Sequence, residues 1–242
     1  MLRSKVVKKV AAGAVALGVW SGVFGAPEAK AHRRDFPFTY DWIQPSKGEK
    51  EIEAHTLYRR GEHAFEQQFE FEYGISDRLA IAPYVVFEKE PGGSLKYAAW
   101  KLESRYQLGK YKVGKILSGL YLEAEKPKNA KLEVEGKLIF SRYDKHGGNL
   151  SLNLIAEKPL KSGSDLLTTF SLGYARPIGK SKYDMRGGFE LVRDLDDKRI
   201  NIGPVFGMAL NKHVNLVGGY GFPITKRDVN KGEFRVLAEY EW

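Results

Sequence analysis

The amino-acid sequence predicts an all-β fold, a transmembrane antiparallel up-and-down β-barrel of twelve strands, and three observations carry that prediction. Runs of alternating polarity, each about ten residues long, recur from residue 50 to the C-terminus, as the strands of such a barrel require. Downstream of residue 31 no apolar stretch approaches the roughly 20 residues that a spanning helix needs, so any membrane crossing must be made by strands. The chain ends on an alternating strand, with Phe234, Val236, Ala238, Tyr240 and Trp242 on one face and Glu233, Arg235, Glu239 and Glu241 on the other.

Residues 1–31 are set apart from the barrel. Arg3, Lys5, Lys8 and Lys9 precede an apolar run from Val10 to Phe24, and Ala29-Lys30-Ala31 supplies the small-x-small pattern of a secretory signal peptide. The mature chain is expected to begin at His32, with cleavage before Ala26 as the alternative; a run of about 15 apolar residues falls short of a spanning anchor. Loss of Arg3, Lys5, Lys8, Lys9 and Lys30 together with Glu28 lowers the formal charge from +9 to +5. Charges of both signs are then interspersed along the chain, which argues against nucleic acid as a partner. The sequence has no cysteine, so disulfides, thiolate metal sites and cysteine nucleophiles are excluded.

Residues 32–49 form an aromatic segment, Phe36, Phe38, Tyr40, Trp42 and Ile43 ahead of Pro45. It is expected to dock at the periplasmic mouth as a small plug, to add a strand, or to meet a periplasmic partner. The barrel follows over 50–242. Its runs are about 50–59, 63–73, 79–89, 96–108, 114–125, 131–143, 149–158, 166–176, 182–193, 198–210, 213–223 and 232–242, an even number as bacterial barrels require, with ten or fourteen as the alternatives. The second run is the cleanest: Phe65, Gln67, Phe69, Phe71 and Tyr73 oppose Glu66, Gln68, Glu70 and Glu72, a segregation no helix produces. The fifth run is mixed, with Leu117 and Tyr121 on one face and Ile116, Leu120 and Leu122 on the other. Pro83 and Pro204 fall in mid-strand, where a missing N–H demands a bulge or a shifted boundary.

The connections alternate in character. Gly74 to Arg78, Gly109 to Lys112, Gly179 to Lys182 and Asn211 to His213 are tight and basic, and are assigned to the periplasmic end. Glu88-Lys89-Glu90-Pro91, Glu125-Lys126-Pro127 and Glu157-Lys158-Pro159 repeat a Glu-Lys exit before proline at the outer end. Tyr73, Phe87, Tyr106, Tyr174, Tyr183, Tyr220, Phe222, Tyr240 and Trp242 lie near strand ends, where an interfacial girdle sits against outer-membrane lipid. The last strand, through Phe234, Val236, Ala238, Tyr240 and Trp242, resembles the C-terminal signal by which barrel-assembly machinery recognises outer-membrane proteins.

Glu70-Phe71-Glu72-Tyr73-Gly74-Ile75-Ser76-Asp77-Arg78-Leu79, with Pro83-Tyr84 shortly after, resembles the strand-turn-strand pattern of a family of bacterial outer-membrane transporters linked to the meta-cleavage pathway of phenol degradation. The resemblance implies a bacterial outer-membrane location and a transport role, and transfers no substrate.

Parity then assigns the lumen. Glu51, Glu53, His55, Glu66, Glu70, Glu72, Lys101, Glu103, Arg105, Glu133, Glu135, Lys137, Arg186, Glu190, Arg235 and Glu239 point inward on one side. Ser151, Asn153, Thr169, Ser171, Gly173, Asn201, Gly203, Gly207, Gly219 and Gly221 form a small, neutral wall on the other. Twelve strands about 4.8 Å apart and tilted near 40° enclose a cylinder roughly 24 Å across, leaving about 10 Å for a small polar solute if nothing crosses it. The expected function is a narrow channel for such solutes; a sealed structural barrel is the alternative, and an outer-membrane lipid hydrolase a weaker one. No catalytic site, metal site or cofactor is expected. No histidine sits with a serine in a local motif, and His55 and His63, which flank the first hairpin among Glu51, Glu53 and Glu66, read as ordinary lumen residues, with a metal site or acid–base pair as the alternative.

Overall fold

A computed structural model describes residues 33–179, 183–225 and 231–242. The signal peptide, the expected start at His32 and Lys180 to Lys182 of one predicted turn lie outside the described residues. Twelve strands are present: β1 Lys50–Arg59, β2 Ala64–Ser76, β3 Leu79–Lys89, β4 Lys96–Leu108, β5 Ile116–Pro127, β6 Glu133–Tyr143, β7 Asn149–Pro159, β8 Leu167–Pro177, β9 Arg186–Asp194, β10 Ile200–Ala209, β11 Val214–Pro223 and β12 Glu233–Glu241. Each is antiparallel to its neighbours in sequence, and β1 closes on β12 with Ile52 opposite Tyr240 and Arg59 opposite Glu233. Closure leaves no free sheet edge, which is what permits strands to cross a membrane.

The exterior is apolar. Ile52, Phe69, Phe71, Val85, Trp100, Leu102, Leu122, Leu138, Leu154 and Phe206 all stand exposed on the outer face. A water-soluble protein rarely leaves so continuous an apolar surface unburied, whereas lipid covers it at no cost. Turns follow local chemistry. Gly109 adopts φ 85° just after β4, a conformation that suits glycine. The amides of Gly148 and His146 donate to Asp144 Oδ1 between β6 and β7, at 2.9 and 2.7 Å, and hold that carboxyl below its usual range.

The two prolines are accommodated by neither a bulge nor a changed boundary. Around Pro83 the β2–β3 ladder runs from Glu70↔Tyr84 directly to Tyr73↔Ile81, with no register change, while on the other side Pro83 pairs normally with Leu102. Around Pro204 the β10–β11 ladder skips from Ile202↔Phe222 to Val205↔Gly219, while Pro204 pairs with Phe189 on β9. Each proline thus interrupts the ladder on one side only and keeps its pairing on the other, so the missing N–H is absorbed as a local gap without a change of register.

Two connections on the mouth that carries both termini are longer than predicted, because β5 begins at Ile116 and β9 at Arg186. Both reach the segment ahead of β1. Tyr111, between β4 and β5, lies 6.1 Å from the Trp42 ring and 5.6 Å from Tyr143. Asp184, between β8 and β9, pairs with Arg33.

Candidate functional site in the barrel lumen

Antiparallel register places carboxylates opposite one another on three adjacent strands. Glu51 faces Glu72 on β2 and Glu241 on β12; Glu53 faces Glu70 and Glu239. The result is a grid of six inward carboxylates, all buried. Like charges directly opposed are destabilising, and burial raises their cost further, so the grid requires counter-charge. Arg105 on β4 supplies part of it, pairing with Glu72 and, at 3.0 Å, with Glu103. The rest comes from outside the sheet.

Residues 33–46 run inside the barrel. The segment enters at the terminal mouth, where Arg33 meets Asp184, descends to about mid-lumen, and returns to the same mouth at Ser46. Arg34 reaches the grid: its Nη1 lies 3.2 Å from Glu53 Oε2, and its backbone N–H donates to Glu239 at 3.2 Å. Its guanidinium also stacks 4.0 Å from the centre of the Tyr40 ring, with Lys137 at 4.2 Å from the same ring. Cations over a desolvated aromatic face gain on the order of 2 kcal/mol. The Tyr40 hydroxyl meets Tyr84 at 3.2 Å and Glu103 at 3.3 Å. Tyr40 is therefore the point where plug, cations and acids converge.

The barrel wall treats the plug backbone as a further strand would, but with side chains. Asn153 accepts from Tyr40 N–H at 2.7 Å and donates to Tyr40 C=O at 2.8 Å. Glu190 accepts from the amides of Phe38 and Thr39, Ser141 Oγ accepts from Trp42 N–H at 2.9 Å, and Gln107 donates to Trp42 C=O at 3.0 Å. Asp35 pairs with Arg186 and accepts from Asn149. These contacts satisfy buried peptide groups that would otherwise cost about 1–3 kcal/mol each. Apolar contacts complete the fit: Phe36 with Ala175 and Val205, Tyr40 with Tyr121 and Ile139, Trp42 with Leu117 and Tyr143. The small wall is what admits the plug, since a Cβ on Gly173 would fall 2.6 Å from the Phe36 ring.

The free bore expected from strand number alone is corrected by this segment, which crosses it. Two cavities of the remaining lumen, among the described residues, are small. One of about 20 Å³ lies among Pro37, Glu190, Asn201, Gly203, Gly219 and Arg235; the other, about 40 Å³, lies among Lys101, Glu123, Glu125, Glu133, Glu135 and Glu157 toward the far mouth. Each is of water size and too small for a solute.

The predicted lumen residues divide by depth. Glu70, Glu72, Glu103, Arg105, Lys137, Arg186, Glu190 and Glu239 surround the plug. Lys101 lies beyond it, with Glu123 at 3.1 Å and Glu125 at 2.7 Å; Lys137 also meets Glu135 at 3.0 Å, and Arg235 meets Glu233 at 2.7 Å. Glu133 lines the far cavity, and Glu66 lies 3.4 Å from Arg59 near the far end of β1. Sequence reasoning missed Arg34, Tyr84, Tyr121 and Glu123. On β5 both faces are apolar, so parity could not be fixed; Leu117 and Tyr121 prove to face inward, against the plug, while Ile116, Leu120 and Leu122 face outward. Among the described residues the hydrogen bonds of His55, His63 and His213 run to Glu53 and Glu70, to Tyr58 and to Glu241, and to no serine.

No protein-family model matches the sequence, and no curated protein matches it. Solved structures do resemble the fold. The NanC porin superimposes with a TM-score of 0.60 at 9% identity, covering 78% of this chain and 98% of that one. The KdgM porin, solved in complex with disordered oligogalacturonate, gives 0.61 at 10% identity over 78% and 98%. An outer-membrane channel from Pseudomonas putida F1 gives 0.55 at 12% identity over 82% and 96%. The chain thus has the fold of bacterial outer-membrane porins and channels.

Proposed function

We propose that this chain is a bacterial outer-membrane barrel forming a narrow channel for small polar solutes, with residues 33–46 as its constriction. The observation that carries the reading is how the constriction is held. Its backbone is bound by side chains of the wall, Asn153, Ser141, Glu190 and Gln107, and by ion pairs through Arg34 and Asp35, not by a continuous apolar core. Water and polar solutes replace such bonds at small net cost, whereas a sealed structural barrel has no need of a polar seal. The porin fold, the polar lumen and the likeness of Glu70 to Leu79 to the phenol-pathway transporters support the same reading. The terminal mouth is the periplasmic one, and the far mouth with its acids faces outward.

Planar-bilayer recordings test it. The mature chain is expected to conduct weakly, and a variant lacking 33–46 is expected to show steady openings whose ion selectivity shifts when Lys101 and Arg105 are reversed to Glu. A deletion variant that is folded by circular dichroism, inserted, and silent overturns the channel and leaves the sealed barrel.

A further inference from the structure

His55 stands on β1 one alternation beyond Glu53, at the edge of the carboxylate grid. Its Nε2 lies 2.6 Å from Glu53 Oε2 and 3.3 Å from Glu70 Oε2. One imidazole nitrogen carries at most one proton, so it makes at most one linear hydrogen bond, yet both acids converge on it. The second observation is independent of this convergence: Glu53 Oε1 is buried and makes no hydrogen bond, although the closed sheet sets the residue opposite Glu70 on one side and Glu239 on the other. A buried carboxylate oxygen without a partner is expensive unless something else occupies its lone pairs. We propose that Glu53, His55 and Glu70 form a lumenal binding site for one divalent metal ion of the zinc class.

The geometry fits such an ion. The donor atoms of the three residues lie within 4.8 Å of one another. Ligands placed about 2.0–2.2 Å from zinc in a tetrahedron are about 3.3–3.6 Å apart, so the 3.3 Å pair already has that spacing and the 2.6 Å pair needs only a small separation. A turn of the Glu53 carboxylate that brings Oε1 to the ion draws Oε2 away from His55 and Arg34, which it now contacts. Three protein ligands with one open position is the arrangement zinc adopts when a water completes the shell. An imidazole beside carboxylates selects a borderline ion over calcium or magnesium, which take oxygen alone. Acidic charge outweighs basic charge here, since Glu53 lies opposite Glu70 and Glu239 with Glu51 two residues along β1, and Arg34 is the cation that contacts Glu53. His55 is the most exposed member of the set, 17% at its side chain against 1% for Glu53 and for Glu70. His63, in contrast, bonds to Tyr58 on the rim and takes no part.

Isothermal titration of zinc chloride into the folded full-length mature barrel in detergent tests this, and the readout is independent of whether the barrel conducts. One ion per barrel is expected, with zinc stabilising the thermal transition because it binds only the folded site. His55→Gln and Glu70→Gln should each weaken binding at least tenfold and abolish the thermal shift, while a triple variant, His63→Gln, His146→Gln and His213→Gln, should bind as the parent does. Calcium should bind more weakly than zinc. Absence of saturable binding by the folded parent, binding unaffected by His55→Gln, or binding lost in the triple variant overturns the site. Equal calcium affinity that survives His55→Gln does so as well, by assigning the ion to the all-carboxylate set of Glu51, Glu53 and Glu239.

Discussion

Gly173 on β8 faces the lumen where the Phe36 ring lies against the wall, and a Cβ there falls 2.6 Å from two ring carbons and 2.8 Å from a third. Phe36 is fully buried, so it cannot shift without unseating the segment that carries it. Gly173→Val is therefore expected to displace the plug while leaving the barrel closed, because the clash is with a ring of the plug and not with a neighbouring strand. Trp42 reports the change: in lipid vesicles, iodide quenching of Trp42 in a Trp100→Phe, Trp242→Phe background should rise sharply with Gly173→Val. Unchanged quenching in a folded barrel means Phe36 does not anchor the plug. Gly203 on β10 makes the contrast. A Cβ there meets the backbone oxygen of Tyr220 at 1.6 Å, so Gly203→Ala strains the sheet itself and should lower barrel stability.

At the scale of elements, period-2 patterning carried the strands because each has one face against lipid and one against a polar lumen, the condition under which alternation is sharpest. The closed twelve-strand barrel was legible for that reason. The path of the plug was not, since Phe36 to Ile43 have partners distributed from β3 to β10, and no local pattern encodes contacts with so many strands at once. The mixed faces of β5 were the trace it left: inward Leu117 and Tyr121 are apolar because the plug, not water, covers them. The carboxylate grid depends on register across β12, β1 and β2, which parity alone does not fix. β12 carries its own prediction. Its outward residues end in Trp242, packed 5.7 Å from Tyr240 and 6.2 Å from Phe71, and Trp242 also pairs through its backbone with Lys50. If the terminal aromatic is read by barrel-assembly machinery, deleting Trp242 should cut outer-membrane yield in cells severalfold while refolding into detergent stays close to that of the parent. Equal losses in both settings assign Trp242 to stability alone.

At the scale of the whole molecule, the lumen charge is unbalanced once the plug is gone, although the plug's own described charges, Arg33 and Arg34 against Asp35 and Asp41, cancel. The inner half of the opened barrel presents Glu51, Glu53, Glu70, Glu72, Glu103, Glu239 and Glu241 against Arg105, Lys137 and Arg186; the far half adds Glu123, Glu125, Glu133, Glu135 and Glu157 against Lys101. A bore of about 10 Å lies within one Debye length of its walls at 0.1 M salt, where that length is about 10 Å, but at 1 M it shrinks to about 3 Å and the axis is screened. The variant lacking 33–46 is therefore expected to be cation-selective in a dilute potassium chloride gradient and to approach neutrality as salt rises, with the reversal potential as the measurement. Glu239→Gln together with Glu70→Gln should reduce the dilute-salt selectivity, since both acids lie on the inner wall that the plug had covered. Anion selectivity, or a reversal potential indifferent to salt, would mean that ions take a path remote from the carboxylate grid, and the assignment of the lumen as the conduction route would fall with it.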